Sequence, residues 1–191
     1  MRIMFAHKSK SVYNKDMEIK KINYEDRNWK IISLYRKSFP KCERVPFKDL
    51  FRGVFKDFSF YTFYDDGKLI AMKHLNNAEH FVHLNYLAVS PKFRNKGYGT
   101  QIMNWVMKKF GNKPIVADVE IEDENSKNNV QRIKRMKFYN RFGLHKGKRR
   151  FYWNGTEMCY IHTGEIDADE FMEYIIKLFP TITNIRELNE E

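Results

Sequence analysis

A chain of 191 residues buries one full hydrophobic core and needs neither a disulfide framework nor a structural metal to fold. Aromatics at 16% and hydrophobic residues at 42% exclude a disordered chain despite 31% charged residues, and two cysteines, Cys42 and Cys159, are too few for a disulfide scaffold. The net charge of +11 is uneven: residues 125–156 hold ten Lys or Arg and no acid, so removing those ten leaves +1 for the rest.

Residues 1–16 are polar and basic and read as a flexible lead-in. A single domain is expected over 17–163, with 164–191 a C-terminal helix and tail packed on it. Met17–Ile22 reads as a strand. Trp29, Ile32, Leu34 and Tyr35 give Asp26–Lys37 a loose helical spacing that Pro40 ends, and Pro46 opens a second short helix through Phe55. Phe58–Tyr64 and Lys68–Leu75 form a hairpin over Asp65-Asp66-Gly67, and Glu79–Val89 is a longer apolar strand. Ile102, Met103, Val106 and Phe110 make one apolar helix stripe closed by Gly111. Ile115–Ile121 returns as a strand and Val130–Phe142 as a helix. Lys148–Trp153 and Met158–Thr163 pair over Asn154-Gly155, and Asp167 caps a last helix to Leu178. The order predicts an α/β fold: a mixed sheet with helices on both faces. The longest apolar runs, Tyr86–Val89 and Met158–Ile161, are too short to span a bilayer, and Met1–Lys10 offers no signal peptide, so a soluble cytoplasmic protein without membrane contact is expected.

The informative stretch lies between the third long strand and the first apolar helix: Arg94-Asn95-Lys96-Gly97-Tyr98-Gly99-Thr100. A helix start offers backbone N–H groups without intrahelical partners and the positive end of the dipole. Glycines at 97 and 99 let the backbone approach a ligand closely, and Arg94 and Lys96 add charge, which together suit a diphosphate. The spacing is neither that of a P-loop nor that of a Rossmann fingerprint.

The run Leu87-Ala88-Val89-Ser90-Pro91-x-x-Arg94-x-x-Gly97-x-Gly99 resembles the cofactor motif of the GNAT superfamily of N-acetyltransferases, and Phe138-Tyr139-Asn140-Arg141-Phe142-Gly143-Leu144 is similar to the family's Phe-Tyr-x-x-x-Gly-Phe element, with Leu144 in place of the usual Phe. The element order matches over roughly 17–163. The resemblance implies a GNAT-like acyltransferase fold with a mostly antiparallel central sheet, acetyl-CoA as co-substrate, and transfer to an amine without a covalent acyl-enzyme. It places Leu87, Ala88, Val89 and Arg94 through Thr100 (Asn95, Lys96, Gly97, Tyr98 and Gly99 among them) at the cofactor, with the N–H of Leu87 or Ala88 as oxyanion donor. Asn129 and Arg132, with Lys127, open the second family helix near the nucleotide end. Arg132 and Arg135 stand where the family often has Asn and Ala.

Such a transfer needs a base for the amine, an oxyanion donor and an acid for the departing thiolate. Strand alternation puts Phe81, His83, Asn85 and Leu87 on one face, and by the resemblance His83 falls where several GNAT enzymes carry a Glu or His base. Glu120, in the acidic run Glu120, Glu122, Asp123, Glu124, is the competing base. By the same resemblance Tyr139 is the acid, and the Phe39–Phe47 segment walls the amine pocket in a subset of the family. Glu43, Phe47 and Asn85 are the expected acceptor contacts, the acceptor being a small-molecule or peptide amine. His80 and His83 face opposite ways on a strand, which argues against a shared metal. Two other classes stay open: a nucleic-acid-binding module on the basic 127–150 region, and a non-catalytic acetyl-CoA sensor. The last helix and tail, 167–191, are a candidate homodimer interface.

Overall fold

The computed structural model describes residues 17–52, 57–178 and 185–188, so the basic lead-in of residues 1–16 lies outside the described residues. Eight strands run in chain order: β1 (Glu18–Ile22), β2 (Phe58–Asp65), β3 (Lys68–Asn77), β4 (Val82–Val89), β5 (Ile115–Glu120), β6 (His145–Trp153), β7 (Thr156–His162) and β8 (Ile185–Leu188). Four helices accompany them: α1 (Trp29–Ser38), α2 (Tyr98–Phe110), α3 (Asn129–Asn140) and α4 (Ala168–Leu178).

Local chemistry sets the boundaries. Asn28 Oδ1 accepts from the amides of Lys30 (3.0 Å) and Ile31 (3.2 Å) and starts α1; Phe39, extended before Pro40, ends it. Asp167 Oδ1 accepts from the amides of Asp169 (2.8 Å) and Glu170 (3.2 Å) at the start of α4. Asp66-Gly67 and Asn154-Gly155 all take positive φ, the backbone that two-residue hairpin turns require. The second short helix forms as a 3₁₀ turn over Phe47–Phe51, and residues 53–56 of its expected extent fall outside the described residues. One strand escaped the sequence reading: β8 pairs antiparallel with β6 from Ile185↔Trp153 to Leu188↔Arg150. With apolar residues only at its two ends, it carries no alternation to read.

The sheet order is β1-β2-β3-β4-β5-β7-β6-β8, antiparallel throughout except for the parallel pair β4–β5. One buried cluster gathers α1 and α4 against one face, around Ile31, Tyr35, Phe60, Phe171 and Ile175. The other gathers α2 and α3 against the opposite face, around Ile102, Met103, Val106, Met136 and Tyr139. The mixed sheet with helices on both faces is therefore as expected.

Two irregularities shape the centre. β4 and β5 pair only at Val82↔Ile115 and His83↔Val116 and then part, leaving the far half of β4 bonded on one side alone. In addition, β3 advances two residues from His74 to Asn76 while β4 spans three, from Tyr86 to His83, so β4 carries an extra residue. This bulge reverses the facing. Phe81 packs in the α1/α4 cluster and the His83 ring lies against Phe171 and Tyr174 of α4, whereas Leu87 and Val89 pack toward α2. The expected common face for Phe81, His83, Asn85 and Leu87 is thus wrong: strict alternation fails across an inserted residue.

Candidate active site

Where β4 and β5 part, a cavity of about 650 Å³ opens, walled by β4, β5, α2, α3 and the segment after α1. Its wall includes Asn85, Leu87, Val89, Arg94 and Gly99 on one side and Asp118, Glu120, Arg135, Phe138 and Tyr139 on the other, with Phe39, Glu43, Tyr86, Trp153 and Met158 completing it.

The turn into α2 is built as its residues dictate. Asn95 and Gly97 both take positive φ (59° and 80°), and Gly97 is the residue from which α2 starts. Gln101 N donates to Gly97 O at 3.1 Å, so the amides of Tyr98, Gly99 and Thr100 precede the first helical bond. A Cβ on Gly99 would meet only the Phe138 ring, at an ordinary 3.5 Å, so the chain's own packing does not demand glycine there. Arg94 Nε donates to Val89 O at 3.1 Å, anchoring the guanidinium beside the end of β4. Tyr98 uses its side chain structurally, donating to Asp65 and packing edge-on to Phe93 at 5.9 Å, while Lys96 Nζ lies 5.5 Å over the Phe93 ring. An anionic, phosphate-bearing group fits this turn: amides ahead of the first helical bond at a dipole's positive end, and an arginine anchored beside it.

The strand amides sort themselves by parity. Ser90 N donates to Ile70 O at 2.8 Å across to β3, so Ala88 N also faces β3, and Leu87 N and Val89 N face the gap. Of the two candidate oxyanion donors, Leu87 is the one on the cavity; Ala88 is buried in the opposite cluster.

The acid–base candidates are distributed differently from the expectation. His83 is wholly buried and does not line the cavity. Its Nε2 lies 2.5 Å from Asp118 Oδ1 and its Nδ1 3.2 Å from Tyr174 Oη, which in turn accepts from Asn76 Nδ2 at 3.0 Å. Glu120 is on the wall but held by three donors: Asn128 Nδ2 (2.9 Å) and Arg132 Nη2 (3.0 Å) to Oε1, and Arg135 Nη1 (2.8 Å) to Oε2. Burial alone would raise its pKa, but those hydrogen bonds and the two guanidinium charges outweigh it and hold the carboxyl below its ordinary range. Tyr139 lies on the wall, its phenol pushed up by burial and drawn down by Arg135.

Three expected contacts are placed elsewhere. Arg132 turns inward to Glu120, Asn128 Oδ1 and Ile121 O (2.8 Å), because a buried carboxylate requires a countercharge; it is absent from the wall. Asn129 Oδ1 accepts from Asp123 N at 3.0 Å. Phe47 packs behind the site against Tyr35 (5.5 Å) and Phe60 (5.7 Å). Glu43 does reach the wall: Tyr86 and Tyr35 donate to Glu43 O (2.8 Å) and Val45 O (2.9 Å) and pin its segment, and burial foremost, then the Glu120 charge, raises its carboxyl pKa. Asp118 was missed. Its signal was present, a lone acid amid the apolar run Ile115–Val119.

Half of the basic window is matched internally: Arg132 and Arg135 by Glu120, Lys146 by Glu122, Arg149 by Asp169 and Glu187, and Arg150 by Glu157. Among the described residues no His, Cys, Asp and Glu group has the arrangement of a metal site, and no helix is long and apolar enough to cross a membrane. Cys159 is buried, which pushes its thiol pKa up and away from nucleophilic use.

A parted parallel strand pair with a glycine turn at its mouth gives a cleft suited to an extended, phosphate-bearing ligand. The Acetyltransferase (GNAT) family profile matches residues 28–144, more than half of the sequence, and the chain belongs to that family. It is an acyltransferase of the kind that takes its acetyl group from acetyl-CoA. A putative GNAT acetyltransferase from Bacteroides thetaiotaomicron superposes with a TM-score of 0.67 at 24% identity, covering 83% of this chain and 93% of that one. A GNAT acetyltransferase from Elizabethkingia anophelis with acetyl-CoA bound gives 0.58 at 16% identity over 79% and 100%. The ribosomal-protein-S18-alanine N-acetyltransferase from Escherichia coli gives 0.57 at 12% over 80% and 97%. No curated protein matches the sequence significantly.

Proposed function

We propose that this enzyme transfers acetyl from acetyl-CoA to the nitrogen of a primary amine by direct attack. Acetyl-CoA, when bound, supplies the activated acyl group as a thioester. The amides of Tyr98, Gly99 and Thr100 with Arg94 hold its diphosphate, and the Leu87 N–H in the strand gap stabilises the charge that develops on the carbonyl oxygen. Tyr139, on the same wall, donates its phenolic proton to the departing sulfur. His83, behind the wall, is not the group that meets the amine; a wall carboxylate is.

The observation that carries this reading is the parting of β4 from β5 beyond His83↔Val116, with the Gly97 turn at its mouth. Carboxylates and aromatic rings at the other end, Glu43, Asp118, Phe39, Tyr86 and Trp153, suit a cationic acceptor. The test is thermal unfolding with and without acetyl-CoA, followed by thiol release in the presence of spermidine or a lysine-containing peptide. A ligand at a hundred times its Kd adds about 2.7 kcal/mol to stability and raises Tm. An unchanged Tm at millimolar acetyl-CoA would refute the reading, and a raised Tm without amine-dependent thiol release would reduce the protein to a sensor.

A further inference from the structure

We propose that Asp118 is the carboxylate that docks the acceptor ammonium group and takes its proton, and that His83 is the positioning residue that holds it. The inference rests on the transferase reading above and deepens it by choosing among the three wall carboxylates.

Glu120 is committed as the counterion of two arginines, with both oxygens engaged. Glu43 lies outside the sheet, on the segment after α1 whose carbonyls accept from Tyr86 and Tyr35. Asp118 stands on the central strand β5, two residues past the last β4–β5 pair, beside the gap, and unlike Glu120 on the same strand it is not held by arginines. Its side chain is 14% exposed, enough to meet a ligand in the cavity and too little to be freely solvated. Oδ1 is fixed by His83, and Oδ2 has no protein partner among the described residues.

Behind it runs a buried chain of donors. Asn76 Nδ2 donates to Tyr174 Oη, the Tyr174 hydroxyl donates to His83 Nδ1, and the His83 Nε2–H donates to Asp118. In this assignment both ring nitrogens of His83 are engaged, Nδ1 by Tyr174 and Nε2 by Asp118, so the ring does not itself meet the amine. Its work is to hold one carboxylate oxygen so that the other faces the cavity in a single orientation, an orienting role that geometry-sensitive chemistry rewards. The ring is held edge-on between Phe171 (5.6 Å) and Tyr174 (5.4 Å), so α4 takes part in placing the site.

The step balances. One proton passes from the ammonium nitrogen to Asp118 Oδ2, and the freed lone pair forms the bond to the acetyl carbon. The carbon–sulfur bond breaks, its electron pair stays on sulfur, and the sulfur takes the Tyr139 proton. The nitrogen's remaining excess proton returns to Tyr139, and Asp118 later yields its own to solvent. The net products are the amide, free thiol and one proton.

The experiment uses the full chain with acetyl-CoA and spermidine. Asp118→Asn is isosteric, and its Oδ1 still accepts from His83, so the fold is kept. We expect kcat/KM for spermidine to fall about 10²–10⁴-fold with acetyl-CoA affinity unchanged. His83→Leu is expected to lower kcat about 10–100-fold without changing KM for acetyl-CoA, and His83→Gln, which keeps a donor near Asp118, to recover most of that loss. The imidazole nitrogen signals of labelled protein are expected to show a neutral Nε2–H tautomer for His83. Wild-type turnover in Asp118→Asn overturns the inference and leaves the transferase reading intact, as does an Nδ1–H tautomer for its positioning half. Absence of transfer by the wild type overturns both.

Discussion

Lys73 offers the sharpest quantitative test of how this core is balanced. It lies in β3, wholly buried, with Nζ lacking any hydrogen-bond partner among the described residues. Burial pushes its amine down to about 7 from an ordinary value near 10.5, with the Asp118 charge acting weakly the other way. The unfolded chain holds this proton up to about pH 10.5 while the folded chain releases it near 7. Between those values the unfolded state binds more protons, so stability rises with pH; below about 7 the full destabilisation is present, and above about 10.5 it is gone. At about 1.4 kcal/mol for each pH unit, the gap corresponds to about 5 kcal/mol. Lys73→Met keeps the length of the side chain and removes the charge, but also removes the attraction to Asp118, so we expect a gain of about 2–4 kcal/mol near pH 6.5. That is a Tm rise of about 5–15 °C for a chain of this size. The assay is urea unfolding of both proteins at about pH 6.5, 8 and 9.5, where all shared titrations cancel in the difference. The variant's advantage should shrink as pH rises. A variant no more stable than wild type at the lowest pH, or a difference constant across the series, refutes the reasoning.

Two further predictions concern the site. Gly97→Ala places a Cβ on a residue at φ 80°, costing about 1–2 kcal/mol in stability by urea unfolding and weakening acetyl-CoA binding at least about tenfold by calorimetry; wild-type affinity would remove the turn from the cofactor site. Tyr139→Phe keeps the packing of α3 and loses the proton donor, so kcat falls about 10²-fold with KM for acetyl-CoA held; an unchanged kcat would leave Tyr139 a wall residue only.

The elements with local causes were legible. Asn154-Gly155 announced its hairpin, Asp167 its helix, and the Arg94–Thr100 turn its helix start, because each acts on neighbours within a few residues. The glycine turn that opens α2 was read on the same grounds. The acid–base end was not. His83 and Asp118 are 35 positions apart, and neither shows from its own surroundings that one lies behind the other. The bulge in β4 made the difference, since one extra residue turns the side chains beyond it to the other face.

Length, apolar periodicity and turn chemistry thus determined the class of fold and the glycine turn that opens α2, because those depend on backbone geometry that a short stretch of sequence controls. Which carboxylate faces the gap, which is neutralised by Arg132 and Arg135, and which histidine is walled off from the cavity were decided only by packing. Those outcomes depend on register between strands distant in the chain and on the need of every buried charge for a partner, and both are properties of the assembled sheet.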